Sequence, residues 1–299
     1  LTYSAARRLI DRPFTLSEWN ISSPNDFGAS TVPFAAMIAS LQDWDGVFFF
    51  DYNSNETWFP NAMQGFFSFK AQPAKLALLG VGANLFCRGD LSALHDQAAG
   101  SHSKYLPQSL AITHQIGVDP QLVEGEELAE IDADDLFSPD GSVSWLANDK
   151  SKARVTINTK MTKGVFGLVA NSSITLGELT MDFGEIERDY ASVFLTSKDK
   201  KDILDSKQLL LVAVGHVKQD GMVWDVARTT VGRNWGRGPT KMNVIPFRFD
   251  YQGLAIKEIF ALDAKGNRMG SVSFEKKNNG ITFQVGEEYK TAWYEIITH

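Results

Sequence analysis

Residues 12–53, RPFTLSEWNISSPNDFGASTVPFAAMIASLQDWDGVFFFDYN, hold two apolar strand patterns on either side of one helical pattern, and their reading decides the fold. The Arg12-Pro13 step interrupts what precedes it, and Phe14-Thr15-Leu16-Ser17 reads as a short buried strand ending at Glu18. A polar loop with Pro24, Asn25 and Gly28 follows, after which Val32 to Gln42 places Phe34, Met37, Ile38 and Leu41 on one helical face. Gly46 opens a second strand, Val47 to Tyr52, whose unbroken apolar run suits a parallel strand buried on both faces. Two strands joined by a helix make a βαβ unit with a strong right-handed preference. A parallel pair with two apolar faces needs further strands and covering helices, and no other strand-helix alternation follows downstream. The missing strands are therefore expected from polypeptide outside this chain.

Outward from this block, residues 1–10 (LTYSAARRLI) resemble the end of an amphipathic helix. On the other side a loop from Asn53 to about Ala71 leads to a helix with Pro73 in its first turn and Arg88-Gly89 as its stop. Residues 91–140 are poorly periodic and include the acidic run Glu124 to Asp135, read as a solvated linker because no calcium-loop spacing is met. From about 141 onward short strand patterns crowd together, punctuated by Asp140-Gly141, Asp220-Gly221, Gly266-Asn267 and Asn279-Gly280. The expected domains are 1–90, an α/β block; 91–140, a connection; 141–241, a β-sandwich; and 242–299, strands of the same or a second sandwich.

The 299 residues carry a formal charge of −7, which argues against nucleic acid as a partner because phosphate contacts need a basic face. No apolar run is long enough for a membrane span. The single cysteine, Cys87, excludes an intrachain disulfide, and the five histidines lack metal-ligand spacing, so no metal or organic cofactor is expected. The chain opens at Leu1 rather than Met, which suggests that something upstream has been removed.

Ser17-Glu18-Trp19-Asn20 is the sharpest chemical signal. A carboxylate at the carboxyl end of a parallel strand can attack an anomeric carbon when a second carboxyl group, about 5–5.5 Å away, protonates the leaving oxygen. Periodicity alone also allows Glu18 to be a surface carboxylate. Trp19 would supply a stacking face and Asn20 an amide, with Tyr52, Asn53 and Trp58 as further sugar contacts beyond the second strand. Trp44 and Asp45 precede that strand and read as structural. The Gly232–Pro239 segment lacks the ending of a phosphate loop, and no nucleophile elbow is present.

Pro13-Phe14, Ser17 to Asn20, Pro24-Asn25, Ala35-Ala36, Leu41 to Gly46 and Phe48 to Tyr52 together give residues 12–53 a more specific likeness. The stretch resembles the last two βα units of the clan A retaining glycoside hydrolases, in particular large bacterial multidomain members. The resemblance implies a partial (β/α)8 barrel followed by one or two β-sandwich domains, with Glu18 as nucleophile on a β-linked oligo- or polysaccharide. It also implies a secreted or periplasmic parent enzyme. One departure matters: that family's acid/base glutamate follows an asparagine on the fourth strand, and the one Asn-Glu pair here, Asn55-Glu56, falls in the wrong loop. The acid/base group would then reside on an N-terminal barrel segment outside this chain, and the chain alone would be inactive. The rival expectation is a non-catalytic carbohydrate-binding or scaffold module.

Overall fold

The computed structural model describes residues 1–53, 61–101, 104, 106–123, 131, 134–286 and 288–299. One helical turn, α1 (Thr2–Ala5), precedes strand β1 (Thr15–Trp19), helix α2 (Thr31–Leu41), strand β2 (Gly46–Phe49) and helix α3 (Pro73–Phe86). Pro73 occupies the first turn of α3, where its missing N–H costs nothing. At the start of α2 the Thr31 hydroxyl donates to the Gly28 carbonyl, 2.7 Å away. β1 and β2 lie side by side in parallel, with α2 as the crossover. A second parallel pair, β3 (Gln97–Gly100) and β4 (Gln115–Val118), joins the same body. Gln42, wholly buried just past α2, holds that pair in place. Its amide donates to the carbonyls of Ala111 and His114, and its oxygen accepts from Ile116 N–H.

All later strands are antiparallel. Nine form one sheet, in the spatial order 268–271, 256–262, 293–298, 208–215, 190–197, 162–168, 154–158, 143–146 and 136–137. Five form a second sheet, in the order 275–277, 280–285, 247–252, 179–183 and 173–176. The two sheets enclose a core that includes Val193, Leu195, Leu211, Phe249, Tyr251, Phe283 and Tyr294. Trp293–Thr298 pairs with both Gln208–Gly215 and Ile256–Leu262, so strands from either side of residue 241 share a sheet.

The nine-stranded sheet is covered on both faces. Tyr190–Ser197 is buried at every position. Its second face packs Phe166, Phe194, Val212 and Val214 into one cluster with Met37 and Ile38 of α2 and Leu78 and Val81 of α3. Phe34 meets Trp145 edge-on, with ring centroids 5.5 Å apart.

This arrangement corrects the expected fold class. The chain does not form a partial (β/α)8 barrel: the β1–β2 sheet has two strands, and most strands belong to antiparallel sheets. The physical reason is that α2 and α3 bury apolar surface against the nine-stranded sheet rather than cover further parallel strands. The apolar run of β2 is likewise not buried on both faces, since Phe48 is 60% exposed and the following Phe50 is 42% exposed. No helix among the described residues is long and apolar enough to cross a membrane.

Candidate functional site

β1 does not run regularly past β2. Leu16 pairs with Val47 and Trp19 with Phe49, so Ser17 and Glu18 together oppose Phe48 alone. This is a β-bulge, a device that re-aims a side chain and recurs beside active sites. Leu16, Val47 and Phe49 pack toward the core, and the Trp19 ring lies 6.2 Å from that of Phe34. Ser17, Glu18 and Phe48 are exposed. Among the described residues the Glu18 carboxylate makes no hydrogen bond or ion pair.

Its neighbours, in contrast, are fixed. Trp19 Nε1 donates to the Thr31 carbonyl at 3.0 Å. The Asn20 amide donates to the carbonyls of both Phe50 and Phe67. Asn20 Oδ1 accepts from Lys75 Nζ at 2.6 Å, and the same amine donates to the Ile21 carbonyl at 2.6 Å. Lys75 is 1% exposed, and burial lowers its pKa to about 7. The amine also reaches Ser23 Oγ at 3.5 Å, so three oxygens surround it.

A line of aromatic rings starts at this end of the strands. Phe50 lies 5.5 Å from Phe67, Phe67 lies 6.5 Å from Phe66, and Phe66 lies 5.2 Å from Trp235. Phe50, Phe66 and Phe67 are each at least two-fifths exposed. Trp235 comes from the connection between two short paired strands, Val217–Asp220 and Arg237–Met242. That connection is tied down by Gln219, whose amide donates to the Trp235 carbonyl at 2.8 Å and whose oxygen accepts from Met63 N–H at 2.6 Å.

Of the residues expected to contact sugar, Trp19 and Asn20 act as braces rather than open contacts. Tyr52 is 58% exposed just beyond β2, Asn53 is partly buried, and Trp58 lies outside the described residues, as does the Asn55-Glu56 pair. Trp44 and Asp45 close the bottom of the unit: Trp44 packs on Phe14, and Asp45 Oδ2 accepts from Phe14 N–H at 2.8 Å. Sequence reasoning missed Lys75, Phe66, Phe67 and Trp235. Lys75 left a signal, as the single charged residue of α3.

It also missed a charge cluster that clamps the loop after β1. Asp26 accepts from Arg188 at 2.9 Å and from Arg228 at 2.6 Å, while His216 Nδ1 lies 3.3 Å away without a hydrogen bond. Burial alone would raise the Asp26 pKa. The Arg228 hydrogen bond and the charges of His216, Arg188 and Arg228 outweigh it, and the carboxyl is held below its usual value. Among the described residues no group of three or more His, Cys, Asp or Glu is placed to hold a metal ion.

No family model matches this chain, and no curated protein or solved structure does so either. The expected membership of the clan A glycoside hydrolases is therefore corrected along with the barrel: the likeness of residues 12–53, and its weaker continuation in 209–225, 231–240 and 292–296, finds no support in the fold or in any match.

Proposed function

We propose that Glu18 is the nucleophile of a retaining glycoside-cleaving centre, to which this chain contributes one carboxylate and an aromatic track. The reading rests on the residues themselves rather than on kinship. The observation that carries it is the bulge: a carboxylate, unpaired among the described residues, presented outward just before Trp19 and Asn20, whose side chains are locked by hydrogen bonds. Rings in series suit the apolar faces of sugars, and Phe50, Phe67, Phe66 and Trp235 provide such a series beside it.

In the first step a Glu18 oxygen forms a bond to the anomeric carbon as the glycosidic C–O bond breaks and the departing oxygen takes a proton. In the second step water attacks that carbon and passes a proton back to the group that donated one in the first step, as the bond to Glu18 breaks. The proton donor comes from a second polypeptide segment seated along β1 or β2, each of which has one edge without a strand partner among the described residues. No metal or organic cofactor enters either step.

Dinitrophenolate leaves without protonation, so 2,4-dinitrophenyl β-glycosides bypass the missing acid. The chain releases dinitrophenolate from at least one of the gluco, galacto and manno substrates, and Glu18→Gln lowers that rate by about 10³-fold or more. Equal rates for both proteins contradict the proposal.

A non-catalytic carbohydrate-binding surface is the second reading. It is favoured by the exposure of Glu18 and by the absence, among the described residues, of any carboxylate hydrogen-bonded to it. Under that reading Phe66→Ala and Trp235→Ala weaken sugar binding while no glycoside is cleaved.

A further inference from the structure

A cavity lies in the sandwich, remote in sequence from β1. Its volume is about 490 Å³, and its walls come from the turn at 158–163, the turn at 177–178, the segment 202–205 and the strand carrying Tyr251. That size falls in the roughly 300–1,000 Å³ range of small-ligand sites. Such sites are mostly apolar, whereas the wall of this one is divided about evenly between polar and apolar surface.

Tyr251 is the feature that marks it. The residue is 1% exposed and lines the cavity, yet among the described residues its hydroxyl makes no hydrogen bond. Its hydroxyl opens on the cavity, where it is free to donate to and accept from a bound molecule. Burial raises the Tyr251 pKa, and the nearby Glu178 charge adds to the rise, so the phenol remains a proton donor at neutral pH. Lys163 stands beside it with its side chain 8% exposed, 2.5 Å from Asn158 Oδ1 and 3.4 Å from Glu178 Oε2. Gly177 keeps the space open: it has φ +63°, and a Cβ there would sit 3.0 Å from Lys163 Nζ.

The charges choose the ligand class. Two ammonium groups, Lys160 and Lys163, face three carboxylates, Glu178, Asp202 and Asp205. No basic excess exists to hold a phosphate. The carboxylates do not converge as metal ligands. What remains is a wall of donors and acceptors in near balance, which suits a neutral molecule whose hydroxyls both give and accept hydrogen bonds.

We propose that this cavity binds one residue of a neutral saccharide, with the Tyr251 hydroxyl and Lys163 as donors and Glu178 as an acceptor. The site stands apart from Glu18, and neither reading needs the other.

Affinity electrophoresis tests it, using native gels cast with hydroxyethylcellulose, xylan, barley β-glucan or galactomannan. The wild-type chain is retarded in at least one of them. Tyr251→Phe removes a hydroxyl with no protein partner, so it should leave the melting temperature unchanged while weakening retention roughly three- to tenfold. Lys163→Met serves as a second variant and weakens retention about tenfold or more. Free migration of the wild type in every gel overturns the proposal. So does retention that survives Tyr251→Phe at full strength, or retention lost on Glu18→Gln but kept in Tyr251→Phe.

Discussion

At the scale of single residues, Lys75 and Asn20 set the conditions around Glu18. The buried Lys75 amine binds its proton less tightly than the unfolded chain does, with a pKa of about 7 against 10.5. Between those values the unfolded state holds more protons, so this residue's contribution to stability rises with pH across the window and is flat below about 7. The melting temperature of the wild type relative to Lys75→Met therefore climbs from pH 7 to pH 10; a constant difference contradicts a buried amine. Asn20→Ala removes the donor to Phe50 and Phe67 and strips Lys75 of one acceptor, and it should cost about 2–3 kcal/mol in urea denaturation. Glu18 was visible in the sequence as a candidate because a lone carboxylate ending an apolar strand stands out. The role of Asn20 was not, since an amide that braces backbone carbonyls looks in sequence like one that binds sugar.

At the scale of elements, two contacts decide how the α/β segments sit on the sandwich. Gly164 leaves room for the Phe194 ring, since a Cβ there would meet a ring carbon at 2.2 Å. Gly164→Ala therefore forces that ring to shift under α2 and α3 and should destabilise by about 1–3 kcal/mol in thermal or denaturant unfolding. Asp26 ties the loop after β1 to Arg188 and Arg228. Its pKa is lowered, so the stabilisation is complete above the unfolded value of about 3.8 and is lost as pH falls through the lower folded value. Asp26→Ala should raise amide exchange across residues 21–30 and leave Tyr190–Ser197 protected; uniform loss of protection contradicts a local clamp. The starts of α2 and α3 were readable from helical spacing and from Pro73. The bulge was not, because one extra residue in a strand changes no hydrophobic pattern until the register of the partner strand is known.

At the scale of the whole molecule, the fold turns on what covers α2 and α3. Residues 12–53 carry the pattern of a strand-helix-strand unit, which leads to a barrel only where further parallel strands bury it. The nine-stranded sheet does so instead, through residues such as Phe166, Phe194 and Val214, which alternate in ways any sandwich strand would. Sequence alone could place those strands but not say which sheet face would meet a helix. The same blindness hid the Phe50–Trp235 ring track and the Tyr251 cavity, whose parts lie far apart in the chain. The central claim, a reactive carboxylate at position 18, is tested most directly by incubating the chain with 2,4-dinitrophenyl 2-deoxy-2-fluoro-β-glycosides and mapping the covalent adduct by peptide mass spectrometry. The expected result is a glycosyl adduct on Glu18 that disappears in Glu18→Gln. An adduct on any other residue, or no adduct at all with the gluco, galacto and manno reagents, contradicts it.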